Sequence, residues 1–99
     1  MNVVMVGSGY VGLVSGVCFA EFGANVTCVD SNESLINLLN KGEVPIYEPG
    51  LEDLLSRNVS SGKITFSVDL QEAARDADII FIAVGTPSRR GDGHADLKY

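Results

Sequence analysis

Val3-Val4-Met5-Val6 runs directly into Gly7-Ser8-Gly9-Tyr10-Val11-Gly12, and what flanks those three glycines decides the fold. The unbroken apolar run predicts a strand covered on both faces, as in a parallel sheet. From Tyr10 to Phe22 the apolar residues fall at helical spacing, with Val11, Val14, Cys18 and Phe22 on one stripe and Leu13, Val17 and Ala20 on a second beside it. A helix apolar over so much of its girth is expected to pack on a sheet with one side and to need further cover on the other. Gly23 ends it. The motif G-x-G-x-x-G therefore joins a strand to a helix, the context in which it carries meaning. There Gly7 closes the tight turn, Gly9 lets a diphosphate approach the backbone, and Gly12 permits close helix–sheet packing.

Working outward, Asn25-Val26-Thr27-Cys28-Val29 reads as a second strand with Asp30 at its C-terminal end. Ser31 or Asn32 can cap the next helix, whose apolar face is Leu35, Leu38 and Leu39, with Gly42 just past it. Glu43 to Gly50 reads as a loop; Pro49 suits the first turn of a further helix carrying Leu51, Leu54 and Leu55 and ending near Asn58. Lys63 to Val68 is a third strand around Ile64 and Phe66. Asp69 and Glu72 form a capping box for a short helix through Ala73, Ala74 and Ala77. Ile79-Ile80-Phe81-Ile82-Ala83-Val84 is the most apolar run and reads as a central strand. Strands alternating with helices predict an α/β fold, a partial Rossmann-like doubly wound parallel sheet with helices on both faces and strand order 3-2-1-4. Residues 1–99 are expected to make one domain at most, a truncated one, since a chain of this size builds a single core.

Composition narrows the function. A 45% hydrophobic share with 20% charged residues belongs to a globular chain, neither disordered nor membrane-spanning. A formal charge of -6 without a Lys/Arg stripe argues against a nucleic-acid partner. Met1-Asn2 enters a strand directly, with no signal-peptide pattern, so the cytoplasm is expected. Cys18 and Cys28 are expected to be small buried hydrophobes and not a disulfide. His94 has no partner ligands in the sequence, so no metal site is expected, and Arg89 and Arg90 read as surface cations.

An acidic chain can still bind an anion, because the free N–H groups and positive dipole end of the first helix need no lysine. Asp30, eighteen positions after Gly12, stands where an acid hydrogen-bonds adenosine ribose hydroxyls, although the same residue could merely cap a helix. A carboxylate beside a 2′-phosphate costs on the order of a few kcal/mol, so NAD is expected over NADP. Val84-Gly85-Thr86-Pro87-Ser88 follows the fourth strand on the ligand side of the sheet and can reach the cofactor, or can be a plain strand-ending turn. No catalytic constellation is visible.

With Pro45-Ile46-Tyr47-Glu48-Pro49-Gly50-Leu51 and Ala95-Asp96-Leu97-Lys98-Tyr99 added, these blocks resemble the UDP-glucose/GDP-mannose dehydrogenase family over the whole chain. The resemblance implies NAD held by Gly7, Gly9, Tyr10, Val11, Gly12, Asp30, Gly85, Thr86 and Pro87. The basic residue that some members carry past the acid has no counterpart in Ser31-Asn32-Glu33-Ser34-Leu35. It also implies oxidation of the C6 alcohol of UDP-glucose to UDP-glucuronate with two NAD, through a thiohemiacetal on a cysteine downstream of Tyr99, in a full-length homo-oligomer without a membrane. GDP-mannose and UDP-N-acetylmannosamine are the alternative substrates. A non-catalytic NAD sensor and a dehydrogenase acting on hydroxy acids or acyl thioesters stay open as rivals.

Overall fold

The structure, a computed structural model, describes residues 1–45 and 48–83. It comprises β1 (Asn2–Val6), α1 (Tyr10–Glu21), β2 (Asn25–Val29), α2 (Glu33–Asn40), α3 (Leu51–Ser60), β3 (Ile64–Ser67), α4 (Leu70–Ala74) and β4 (Ile79–Ile82). The four strands form one parallel sheet in the order β3-β2-β1-β4, as the alternation of elements predicts. In register, Val6 pairs with Val29 and with Ile82, and Val29 pairs with Ser67. All four strands therefore end together, and the residues that follow them gather along a single sheet edge.

Alternation along the strands divides the core between two faces. Val26, Cys28 and Ile64 lie beneath Gly16 of α1, on the face also packed by α2 and α3. Val4, Thr27 and Thr65 line a groove with Glu72 and Ala73 of α4 on the opposite face. Helices thus cover both faces, as expected. Asn32 caps α2 by accepting the Leu35 N–H at 3.1 Å, and Asp69 caps α4 by accepting that of Glu72 at 3.0 Å.

Three expectations need correction. On α1 the buried residues are Gly12, Leu13, Gly16, Val17 and Ala20, while Val11, Cys18 and Phe22 are exposed. The small residues recur every fourth position and let the helix sit close on the sheet, so they set which stripe faces inward. Cys18 is consequently not a buried hydrophobe, although Cys28 is, and both are free. Second, α2 buries Ile36 with Leu39, and α3 begins only after Pro49, with Gly50 as its N-cap at φ 83°, a conformation that suits glycine. Third, among the described residues β4 pairs only with β1 and its four residues are 38–75% exposed, as the order 3-2-1-4 requires, whereas its apolar run alone reads as a central strand.

Candidate functional site

The turn between β1 and α1 has the geometry that its glycines predict. Gly7 adopts φ 102°, a conformation costly for any residue with a Cβ. A Cβ on Gly12 would stand 2.0 Å from the Gly7 carbonyl oxygen and 3.4 Å from the Ala83 Cβ, so the helix start is pressed against its own turn and the end of β4. Gly9, the N-cap, differs from both: its φ is -72° and a Cβ there would meet nothing within 4 Å among the described residues. Gly9 therefore borders open space, while Gly7 and Gly12 build the turn itself.

That open space faces unused donors. No side chain caps α1, and among the described residues the N–H groups of Gly9, Tyr10, Val11 and Gly12 donate to no protein atom. The first intrahelical bond at this end is from the Leu13 N–H to the Gly9 carbonyl at 2.8 Å. A helix start with free N–H groups carries partial positive charge and suits an anion. No Lys or Arg precedes Lys41 in the sequence, so within the turn itself the donors are backbone N–H groups. Ser8 is 1% exposed, and its Oγ has no hydrogen-bond partner among the described residues. Such an orphan is rare in a native structure and calls for an explanation, such as a water, an ion or another partner. The residues present fit a diphosphate.

Asp30 is half-buried at the tip of β2, beside this turn. Its Oδ2 accepts the Ser8 N–H at 2.9 Å and its Oδ1 accepts the Asn32 N–H at 3.0 Å. The helix cap of α2 is Asn32, so Asp30 is not the capping residue that its position also allowed. The turn is further tied to the sheet by the Gly7 N–H to the Val29 carbonyl at 2.7 Å, and Asp30 by its N–H to the Ser67 carbonyl at 3.1 Å.

Tyr10 and Val11 are exposed at 53% and 65%, and their N–H groups are among the unused donors of the turn. The phenol of Tyr10 donates to Glu48 Oε2 at 3.0 Å. Sequence reasoning missed this contact, and also missed Ser8 as the donor to Asp30 and Gly16 as a packing glycine whose Cβ would lie 2.8 Å from Cys28 Sγ. Only the helical spacing of Gly12 and Gly16 hinted at the last. Gly85, Thr86 and Pro87 lie outside the described residues, as do Arg89, Arg90 and His94. The Ala83 N–H reaches the Val6 carbonyl at 2.8 Å, so Ala83 lies at the same sheet edge as the glycine turn. Among the described residues no three His, Cys, Asp or Glu side chains gather as a metal site, and no helix is long and apolar enough to cross a membrane.

Comparison with known proteins matches this geometry to a family. Residues 1–99 match the family model described as "UDP-glucose/GDP-mannose dehydrogenase family, NAD binding domain". The chain is 61% identical over 99 residues to the UDP-glucose 6-dehydrogenase of Rhizobium meliloti (strain 1021), covering 100% of this chain and 23% of that protein. Among solved structures, a ternary complex of GDP-mannose dehydrogenase from Pseudomonas aeruginosa superposes with a TM-score of 0.94 at 41% identity, covering 98% of this chain and 22% of that one. A UDP-glucose dehydrogenase from the archaeon Pyrobaculum islandicum gives 0.92 at 46% identity, covering 99% and 22%. The chain thus spans less than a quarter of the length of these relatives. With a parallel sheet, a glycine turn opening α1 and an acid at the end of β2, this chain belongs to the UDP-glucose/GDP-mannose dehydrogenase family, as its NAD-binding domain.

Proposed function

We propose that this chain holds NAD along the C-terminal edge of its sheet, in a protein that oxidises UDP-glucose to UDP-glucuronate with two NAD. The observation that carries the binding mode is the row of unused N–H groups at Gly9, Tyr10, Val11 and Gly12 beside the Asp30 carboxylate. The N–H groups take the diphosphate, with Gly7 shaping the turn. Asp30 accepts from the adenosine ribose hydroxyls, and its charge disfavours a 2′-phosphate. Gly85, Thr86 and Pro87 contact the cofactor from the end of β4. NAD, when bound, supplies the hydride acceptor, and this chain's residues fix its position and orientation.

The choice of UDP-glucose is supported by the 61% identity to an enzyme of that name. GDP-mannose and UDP-N-acetylmannosamine are the competing substrates, since dehydrogenases of both kinds share the fold. The protein works in the cytoplasm, as a homo-oligomer like most oligomeric enzymes. Residues 1–99 by themselves have no turnover, because positioning cofactor against sugar takes more than one domain.

The test is an activity screen of the full-length protein with the three nucleotide sugars and NAD. The expected result is two NADH for each UDP-glucose consumed, with little rate on the others. NADH formation preferring GDP-mannose or UDP-N-acetylmannosamine would reassign the substrate. UDP-glucose-dependent NADH formation by residues 1–99 alone would refute the division of labour.

A further inference from the structure

The loop ahead of α3 reaches the start of α1 through the side chain of Glu48. Tyr10 occupies the first position of α1, and its phenol donates to Glu48 Oε2 at 3.0 Å. The Glu48 carbonyl accepts the Leu51 N–H at 3.0 Å, and Gly50 between them caps α3. Glu48 thus joins the starts of two helices through separate atoms, its carboxylate to α1 and its carbonyl to α3. The hydrogen bond, and then the charge of the carboxylate, push the Tyr10 phenol above its ordinary ionisation range, so the phenol remains a neutral donor.

A tyrosine at a first helical position has more than one staggered choice at χ1, and the free N–H groups lie within the same turn. A ring without a partner can sweep the space that an anion must enter. An unpaired carboxylate near the same turn would also repel that anion. Resting on the dinucleotide-binding reading above, we propose that Glu48 is a positioning residue for the cofactor. It holds the Tyr10 ring toward the start of α3, leaving the N–H groups of Gly9, Tyr10, Val11 and Gly12 open, and it commits its own charge to the phenol. The two residues act as one unit. The exposure of both means that water competes for the bond, so the effect is a modest one on cofactor affinity.

The test measures NAD affinity by calorimetry in the full-length protein, for wild type, E48Q, E48A, Y10F and the E48A/Y10F double variant. Thermal melting of each sample reports folding. Glutamine still accepts from the phenol, so E48Q binds NAD like wild type. E48A and Y10F each weaken binding about threefold, and the double variant is no worse than either single one, because the lost interaction is shared. If Glu48 acted only as a charge near the diphosphate, E48Q and E48A would both bind more tightly, which would overturn the proposal. So would wild-type affinity in E48A, or additive losses in the double variant. Should E48A melt too early to assay, E48Q against Y10F decides: native affinity in the first with a loss in the second supports the pairing, and equal affinities refute it. Failure of the wild type itself to bind NAD would be a different result, removing the dinucleotide reading and this inference with it.

Discussion

The carboxylate of Asp30 accepts the N–H of Ser8 at 2.9 Å, so the residue proposed to read a ribose also holds the second residue of the glycine turn. Its other oxygen accepts the Asn32 N–H, which orients the group before any ligand arrives. Hydrogen bonds to a charged group are the stronger kind. Asp30→Ala is therefore expected to lower NAD affinity by about tenfold or more, through the ribose and the slackened turn together. Asp30→Asn keeps an acceptor for Ser8 but loses the charge, so its loss is smaller and its preference for NAD over NADP shrinks. Calorimetry with both dinucleotides checks this, and wild-type protein binding NADP as tightly as NAD would remove the role given to Asp30.

Gly9 and Gly12 make opposite predictions from one substitution. Gly12→Ala places a methyl 2.0 Å from a backbone oxygen, which only backbone movement can relieve, so destabilisation by about 3 kcal/mol is expected. Gly9→Ala meets no atom within 4 Å among the described residues and is expected to melt close to wild type while NAD affinity falls. Urea unfolding of both variants with parallel NAD titrations separates the two cases. Equal stability losses would mean that Gly9 serves the fold and not the ligand.

The two cysteines differ in reach. Burial pushes the Cys28 thiol up to about 12, whereas Cys18 lies exposed on the outer side of α1. A thiolate is the reacting form, so Cys28 is protected both by packing and by protonation. Mass spectrometry after alkylation at pH 8 is expected to find label on Cys18 in the native chain and on both cysteines in denaturant. Since Cys28 ionises near 9.0 when unfolded and near 12 when folded, stability also declines as pH rises through that interval.

Glu21 joins α1 to α3, accepting from Asn58 Nδ2 at 2.9 Å and from Arg57 Nη2 at 2.8 Å. The Asn58 hydrogen bond first, and Arg57 with it, hold the Glu21 carboxyl below its ordinary value of 4.5. A depressed folded value means that the stabilisation is present above pH 4.5 and is lost as pH falls through the folded value. Glu21→Gln is expected to cost slightly at pH 7 and to flatten the acid side of the stability profile. Unfolding midpoints at pH 7 and pH 3.5 check this, and an unchanged acid slope would exclude Glu21 from it.

Much of the site was legible because its residue types answer local demands. Gly7 must hold φ 102° and Gly12 must admit its own turn's carbonyl, and no other residue type does either without strain. Asp30 was legible from its place after β2, and Asn32 and Asp69 were legible as caps of the helices that follow them. The Tyr10–Glu48 bond was not legible, because its partners stand 38 residues apart and meet only through the packing of α1 beside α3.

By itself the sequence determined the order of elements, the strand–helix alternation that makes the sheet parallel, and the backbone geometry of the glycine turn, since these follow from residue patterns along the chain. Only the tertiary structure decided that Leu13 and Val17 face inward while Val11 and Phe22 face out. It also decided that the Asp30 carboxylate grips Ser8. Periodicity marks a helix as apolar on two stripes without saying which meets the sheet. That choice rests on how closely Gly12, Gly16 and Ala20 let two backbones approach, a contact between elements distant in sequence.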